Sequence, residues 1–363
     1  MNCNLKLSGR LTGSVLLATA TAGAPAVAGA DDRVGAELYG QAHLSLNYFD
    51  TDNDAAEEDD TGFGFSSNAS RFGLRGSQPL DGGLTAIYQL ELEPAWSGGG
   101  GTDRDGDPAI LRQVRDSFVG IEGYFGMVRA GRLPAANQFI YESNYLLNTI
   151  GDVGTMTSFG IGGRFSGAVQ YASPDLGPFN FSATVAPEAS SSDSGEMGDH
   201  DFLVRGTFTQ GPWLAALTYV QIGAVDEDGN GFDVGALGLQ FQGNAFEIGA
   251  LAATRNHDAD DLDDHVIALG GSVAVSPVSS VRAQAVQFLG DASDSDSLSL
   301  GVGYFHSLAE TTEVYGVYAR TDNDDARSND TFGYGHGGTP GALAATGAGS
   351  SPQGVSVGVI QHF

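Results

Sequence analysis

Apolar and polar residues alternate along most of this chain with a period of two, and nothing else in the sequence restricts the fold as strongly. Leu38, Gly40, Ala42, Leu44, Leu46 and Tyr48 occupy one parity, and Glu37, Tyr39, Gln41, His43, Ser45 and Asn47 the other. Successive side chains of a strand point to opposite sides, so this segment reads as a strand with one apolar and one polar face. The pattern returns over 84–93, 164–171, 201–209 and 297–304. The connections alternate too. Tight turns are expected at 79–83, 123–126, 174–178, 211–212, 243–244, 276–279 and 307–311. Long connections are expected at 51–61, 97–107, 133–163, 189–199, 225–231, 256–264, 291–296 and 321–351. Seven turns and eight loops give sixteen strands.

A soluble sandwich of sixteen strands would need two large sheets with four guarded edges. A closed barrel in lipid solves the same pattern differently. Its apolar face meets hydrocarbon, its polar face lines water, and closure removes every unpaired edge. At sixteen strands the interior is too wide for side chains to fill, and an aqueous channel remains. The expected fold is therefore all-β, a 16-stranded antiparallel transmembrane β-barrel. Aromatic residues at the tight turns (Tyr124, Phe125, Phe179, Phe181, Trp213, Phe246) and the terminal Phe363 fit an interfacial girdle.

The N-terminus reads as an export signal. Lys6 and Arg10 precede an apolar stretch from Leu11 to Ala22, and Ala28-Gly29-Ala30 is an A-x-A cleavage pattern. Residues 1–30 are expected to leave, and 31–363 to form a single barrel domain. The whole chain carries a net charge of -29, which becomes -31 on cleavage because Lys6 and Arg10 go and no acid does. That charge argues against nucleic acid as a partner. The single Cys, Cys3, leaves with the signal, so disulfides, zinc–thiolate sites and Cys nucleophiles are excluded from the mature chain. Glycine is abundant, 54 of 363 residues, which suits tight turns and close strand packing.

Four segments, in order, carry a family resemblance. Glu37-Leu38-Tyr39-Gly40 opens the first strand, and Ser70-Arg71-Phe72-Gly73-Leu74-Arg75-Gly76 lies in the second. Asp116 to Ile121 and Phe125 to Arg132 form a hairpin, and Val355 to Phe363 is a final strand ending in Phe. In these the chain resembles the Gram-negative general diffusion porins. The resemblance implies a homotrimer of passive, water-filled barrels in the outer membrane, in contact with outer-membrane lipid and lipopolysaccharide, passing ions and small hydrophilic solutes. It implies that Phe363 and its strand are read by the barrel-assembly machinery. It also implies a third loop, here about 133–163, that folds inward and sets acidic residues against a basic wall. The acids of that loop are Glu142 and Asp152. The "PEFGG" of some family members is replaced here by Thr157 to Gly163.

Parity gives the wall. Arg71 and Arg75 lie opposite Phe72 and Leu74 and should face the lumen. With Phe118 and Gly120 read as outward, Arg115 and Ser117 face inward. Arg129 also falls on the inward parity, whereas Arg132 falls on the outward one at its strand end. Seven of fourteen mature arginines lie between 71 and 132, an arginine wall facing the loop. Arginine at the constriction favours anions; an acidic mouth concentrates cations, and the second effect is expected to prevail slightly.

Acidic runs crowd the outer loops, at Asp50 to Asp60, Asp226 to Asp228, Asp258 to Asp264, Asp291 to Asp296 and Asp322 to Asp330. They read first as solvated surface; Ca2+ binding and adaptation to salt are the sharper alternatives. No other cofactor is expected. No catalytic constellation stands out: there is no G-x-S-x-G, and the seven His have no triad-like spacing. The chain is expected not to be an enzyme. A solute-specific porin, and a plugged barrel acting as adhesin or enzyme, remain the alternatives.

Overall fold

A computed structural model describes residues 35–53, 60–96, 110–134, 136–157, 159, 161, 163–187, 200–223, 230–257, 263–333, 335–336 and 345–363. The expected signal segment, 1–30, lies outside the described residues. The alternating runs form one antiparallel sheet closed on itself. Its strands are β1 (Gly35–Asp50), β2 (Thr61–Ser67 and Arg71–Pro79), β3 (Thr85–Pro94) and β4 (Leu111–Val114 and Ser117–Gly123). Then follow β5 (Gly126–Pro134), β6 (Arg164–Ala172), β7 (Phe179–Ala186) and β8 (Asp201–Gln210). The second half holds β9 (Trp213–Ile222), β10 (Phe232–Gln242), β11 (Phe246–His257) and β12 (Asp264–Ser276). It ends with β13 (Ser279–Gly290), β14 (Ser297–Ala309), β15 (Thr312–Asn323) and β16 (Gln353–His362). Every strand pairs with its sequence neighbours, and β1 closes on β16 from Gln41↔His362 to Asp50↔Gln353. Seven tight turns and eight longer loops connect them, as the alternation predicts. Closure leaves no backbone edge to lipid.

Burial follows parity. On β1 Leu38 is 70% exposed on the outer surface while Asn47, on the other face, is 1% exposed. Leu217, Leu269 and Val357 repeat the outward apolar face on β9, β12 and β16. At the turn end, aromatic rings form the expected girdle: Phe179 packs on Phe208 at 5.0 Å, Trp213 on Phe241 at 4.7 Å, and Phe241 on Phe246 at 5.8 Å. Phe363 closes the seam. Its backbone exchanges hydrogen bonds with Gly40, N–H to O at 2.8 and 3.1 Å, and its ring lies where a Cβ on Gly40 would be.

Two strands are broken in the middle. In β2 the chain leaves the ladder at Asn68–Ser70, with Ala69 at φ 49°. The Ser70 hydroxyl replaces the missing rung: it accepts from the His43 N–H and donates to the His43 carbonyl, both at 3.0 Å. In β4 the break falls at Arg115–Asp116, where the Arg115 N–H still donates to the Glu91 carbonyl at 2.7 Å. Both breaks lie on the wall that carries the arginine cluster.

Candidate functional site

The connection from β5 to β6 is the third long loop, and it lies inside the barrel. A 3-10 turn (Ala136–Ile140) and a single α-helical turn (Gly154–Thr157) fold it into a compact unit. Phe139, Ile140, Val153 and Met156 are buried against lumen-facing Val234, Leu251, Val266 and Val286 of the wall. At the tip, Leu146 and Ile150 pack with Phe305, Val317 and Ala319.

The wall makes room by giving up side chains. Gly238 on β10, Gly249 on β11, Gly270 on β12 and Gly301 on β14 occupy the lumen parity. A Cβ on Gly238 would sit 2.8 Å from Glu142 Oε2, and one on Gly270 would sit 2.6 Å from Tyr145. On Gly249 it would strike the Glu142 carbonyl, and on Gly301 the Leu146 side chain. Between these, Gln284 on β13 clamps the loop backbone. Its Oε1 accepts from the Tyr145 and Leu146 N–H groups at 2.7 and 3.0 Å, and its Nε2 donates to the Gly151 carbonyl at 2.6 Å.

The loop acids do not face the arginine group. Glu142, fully buried at 0% exposure, turns to β8 and pairs with Arg205, which also donates to Thr218 at 2.8 Å. Burial pushes the Glu142 carboxyl up, and Arg205 opposes that. Asp152 stays within its own loop, accepting from the Asn144 amide at 2.7 Å and from the Asn148 and Gly154 N–H groups at 2.6 and 2.7 Å. Complete burial pushes it up to about 7 against those three donors. Tyr141 of the loop is within electrostatic reach of the arginine side. Burial raises its hydroxyl first, Asp152 and Asp116 add to that, and Arg164 and Arg115 oppose it.

On the arginine side the charges neutralise one another. Arg115 Nε meets Glu91 at 2.7 Å and its Nη1 meets Glu93 at 3.0 Å. Arg71 lies 3.8 Å from Glu91 and donates to the Ala69 carbonyl; Arg112 lies 3.6 Å from Glu93. Tyr39 donates to Glu91 at 2.9 Å. Arg75 is exposed near the turn end, paired with Glu37 at 3.0 Å and stacked 4.7 Å over Tyr39. Among the described residues no carboxylate pairs with Arg129; its Nε donates to Gln170 at 2.9 Å. Arg132 donates to the Val114 carbonyl at 2.8 Å and to Ser166.

One step of the parity reading differs. Val119 is 66% exposed on the outer face, so Phe118 and Gly120 point inward, and a Cβ on Gly120 would meet Arg129 Cβ at 2.8 Å. Arg115 reaches the lumen acids because the strand breaks beside it, which resets the alternation.

Sequence reading missed several members of this arrangement: Arg205 as the partner of Glu142, Gln284 as the clamp, and Arg164, which pairs with Asp116 at 2.5 Å. Glycines on the polar parity of β10, β11, β12 and β14 were the available signal for loop docking. The last loop, between β15 and β16, also enters. Phe332 packs 4.5 Å from Phe49, His336 Nε2 lies 3.3 Å from Asn47 Oδ1, and the Gly151 N–H donates to the Thr331 carbonyl at 2.8 Å. The last and third loops are thus hydrogen-bonded together. Among the described residues no group of three or more His, Cys, Asp or Glu is placed to hold a metal. Much of the acidic runs proposed for Ca2+, at 54–59, 226–228 and 258–262, lies outside the described residues.

Comparison with known proteins agrees with this architecture. The Gram-negative porin family profile matches residues 14–326. Outer membrane porin protein 32 of Delftia acidovorans is 28% identical over 350 residues, 90% of this chain and 93% of that protein. Major outer membrane protein P.IA of Neisseria meningitidis serogroup C is 35% identical over 125 residues, 34% of this chain and 30% of that protein. Among solved structures, the anion-selective porin from Comamonas acidovorans superimposes with a TM-score of 0.76 at 26% identity, covering 91% of this chain and all of that one. OmpT of Vibrio cholerae shares the fold at a TM-score of 0.65 and 14% identity, over 93% of this chain and 99% of that one. The chain belongs to the Gram-negative porin family: it is an outer-membrane β-barrel that forms a passive, water-filled channel for ions and small hydrophilic solutes.

Proposed function

We propose that this porin is a general diffusion channel whose aperture lies between the third loop and the wall of β2 to β5, and that it works as a homotrimer without catalytic activity. One observation carries the placement of the aperture. The loop is packed on β8 to β15, by the glycine positions and Gln284, and so leaves the side of Arg71 and Arg115 to water. Arg71, Arg75, Arg115, Arg129 and Arg132 line or flank the path; Glu142 and Asp152 shape the loop from within. Solutes meet paired charges at close range, which orients dipoles without a strong net field. The acidic outer mouth adds a modest cation preference that fades as salt screens it. Residues 1–30 direct export and are removed. The terminal Phe363 strand is the part read by the assembly machinery, and lipid and lipopolysaccharide surround the outer face. The acidic loops are solvated surface, with Ca2+ as an occasional ligand.

Reconstitution of the heat-resistant oligomer in planar bilayers tests this. Ohmic conductance in steps of three, unsaturated by small sugars, is the expected result. Saturable flux of one sugar would convert the reading to a solute-specific porin, and silent bilayers would sink it.

A further inference from the structure

Arg129 is built differently from the lumen arginines that are paired with acids. It is only 7% exposed, and its guanidinium lies 4.6 Å over the Phe118 ring. Its Nε is fixed by Gln170, which in turn donates to Thr184 at 2.8 Å. Arg71, Arg112, Arg115, Arg164, Arg205 and Arg282 each have a carboxylate within 4.0 Å. Among the described residues Arg129 has none, and its two Nη nitrogens make no hydrogen bond to any of them, yet neither is sealed from solvent. The side chain lines a cavity of about 810 Å³ on the turn side of the third loop, together with Gln138 and Tyr141 of that loop, Gln170, Asn180 and Arg205. The other charges on this cavity are Glu122 and Asp175, beside the tight turns, and Glu142, which Arg205 already neutralises.

A guanidinium withdrawn from bulk water and left without a counter-charge is an unfilled electrostatic demand. Its Nη edge matches a carboxylate in the two-pronged geometry that a spherical anion cannot use. Gln138, Tyr141 and Asn180 add neutral donors. Two unpaired acids at the rim disfavour a dianion, so a single negative charge fits best.

We propose that Arg129 anchors a binding station for small monocarboxylates inside the pore, between the third loop and the turn end of the barrel. The station rests on the reading that this lumen is the conduction path. It makes acetate and its homologues preferred among anions, and it works against the acidic mouth.

The test compares wild type, Arg129→Gln and Arg129→Lys as refolded oligomers in planar bilayers, with potassium acetate and potassium chloride. Wild-type conductance in acetate should saturate with concentration, while chloride conductance stays linear. Arg129→Gln should make the acetate curve linear and lower the anion-to-cation permeability ratio by about threefold, since one buried charge has gone. Arg129→Lys keeps the charge but not the planar fork; it should keep most of the ratio and lose the saturation. Conducting Arg129→Gln channels with unchanged ratio and unchanged acetate curve would overturn the proposal. Should that variant not insert, Arg129→Lys channels that saturate as wild type does would overturn the fork assignment equally. A silent wild type would instead refute the channel reading, so the two failures are distinguishable.

Discussion

The two walls of this barrel solve opposite problems. The wall of β2 to β5 keeps long charged side chains in the lumen, interrupts two strands to aim them, and balances arginine against glutamate within itself. The wall of β8 to β15 removes side chains, placing glycine at four lumen positions, and accepts a folded loop with its own apolar interior. One wall is made for water and the other for packing. On the proposed reading the pore is therefore off-centre, and its charge is set by residues other than the loop acids. The lesson is that an inward loop is held by what the wall omits as much as by what it presents.

The strongest way to break that contrast is to restore a side chain on the packing wall. In Gly249→Leu the new Cβ meets the Glu142 backbone carbonyl, where no rotamer can give way. Overpacking of this sort costs about 1–3 kcal/mol or more, and here the loop is the movable part. The loop should shift toward the arginine wall and single-channel conductance should fall by about half or more, an effect of pore radius. Gly206→Leu, where the added Cβ meets nothing, should conduct like wild type. Equal conductance in both variants would show that the glycine positions do not hold the loop.

A smaller effect on conductance should follow from Arg205→Ala. It strands the buried Glu142 carboxylate, at a cost of about 3–5 kcal/mol for a broken buried pair. The Arg205→Ala, Glu142→Gln double variant removes the stranded charge and should recover most of the loss. Open-channel current noise and thermal melting of the oligomer both read this. Gln284→Ala should cost less, about 1–3 kcal/mol, because the loop N–H and carbonyl groups it leaves unpaired are buried but neutral. Additivity of the Gln284 and Arg205 changes would indicate two independent fastenings, since they lie on β13 and β8.

The barrel was legible in the sequence and the docking of the loop was not, for a physical reason. Strand parity and turn chemistry are local, so Leu38 against Asn47, or Gly211-Pro212 between two strands, declares itself within a few residues. The partner of Glu142 lies 63 residues away on another strand, and that of Gln284 more than 130 away, so no spacing in the chain announces either. Arg115 shows the limit of parity itself. One irregular residue pair in β4 resets the alternation, and Phe118, read as outward, lies under Arg129 in the lumen. The inward glycines were visible but read as generic sheet glycines, because their reason is the close approach of another segment.

On the charged wall, Arg115→Gln sharpens the comparison from the other side. It leaves Glu91 and Glu93 without their closest cation, although Arg71 and Arg112 remain within 4.0 Å of them. The fold and the conductance should hold, and the reversal potential in a salt gradient should move modestly toward the cation limit. A large loss of anion permeability would show that Arg115 acts as a free cation, against the pairing with Glu91 and Glu93.

The smallest effect concerns the last loop, which links the third loop to β1 through Thr331 and Phe332. His336 sits buried beside Asn47 and Phe49, and burial pushes it down to about 4 from an ordinary 6.5. For a histidine whose folded value is depressed, the unfolded loop takes up the proton first as pH falls below 6.5. Docking is therefore at full strength above that value and weakens progressively down to about pH 4. At pH 5.5 the loss is about 1.4 kcal/mol, one unit of differential protonation. Asp330 in the same loop is raised by burial and works in the opposite direction, so the comparison must be with His336→Asn, which removes the histidine alone. Amide exchange at Thr331 and Phe332 should quicken between pH 6.5 and 5.5 in wild type, beyond the intrinsic change, and not in the variant. Identical pH profiles would mean that the link between the third loop and β1 is carried by the Gly151–Thr331 hydrogen bond and the Phe49–Phe332 contact, without the histidine.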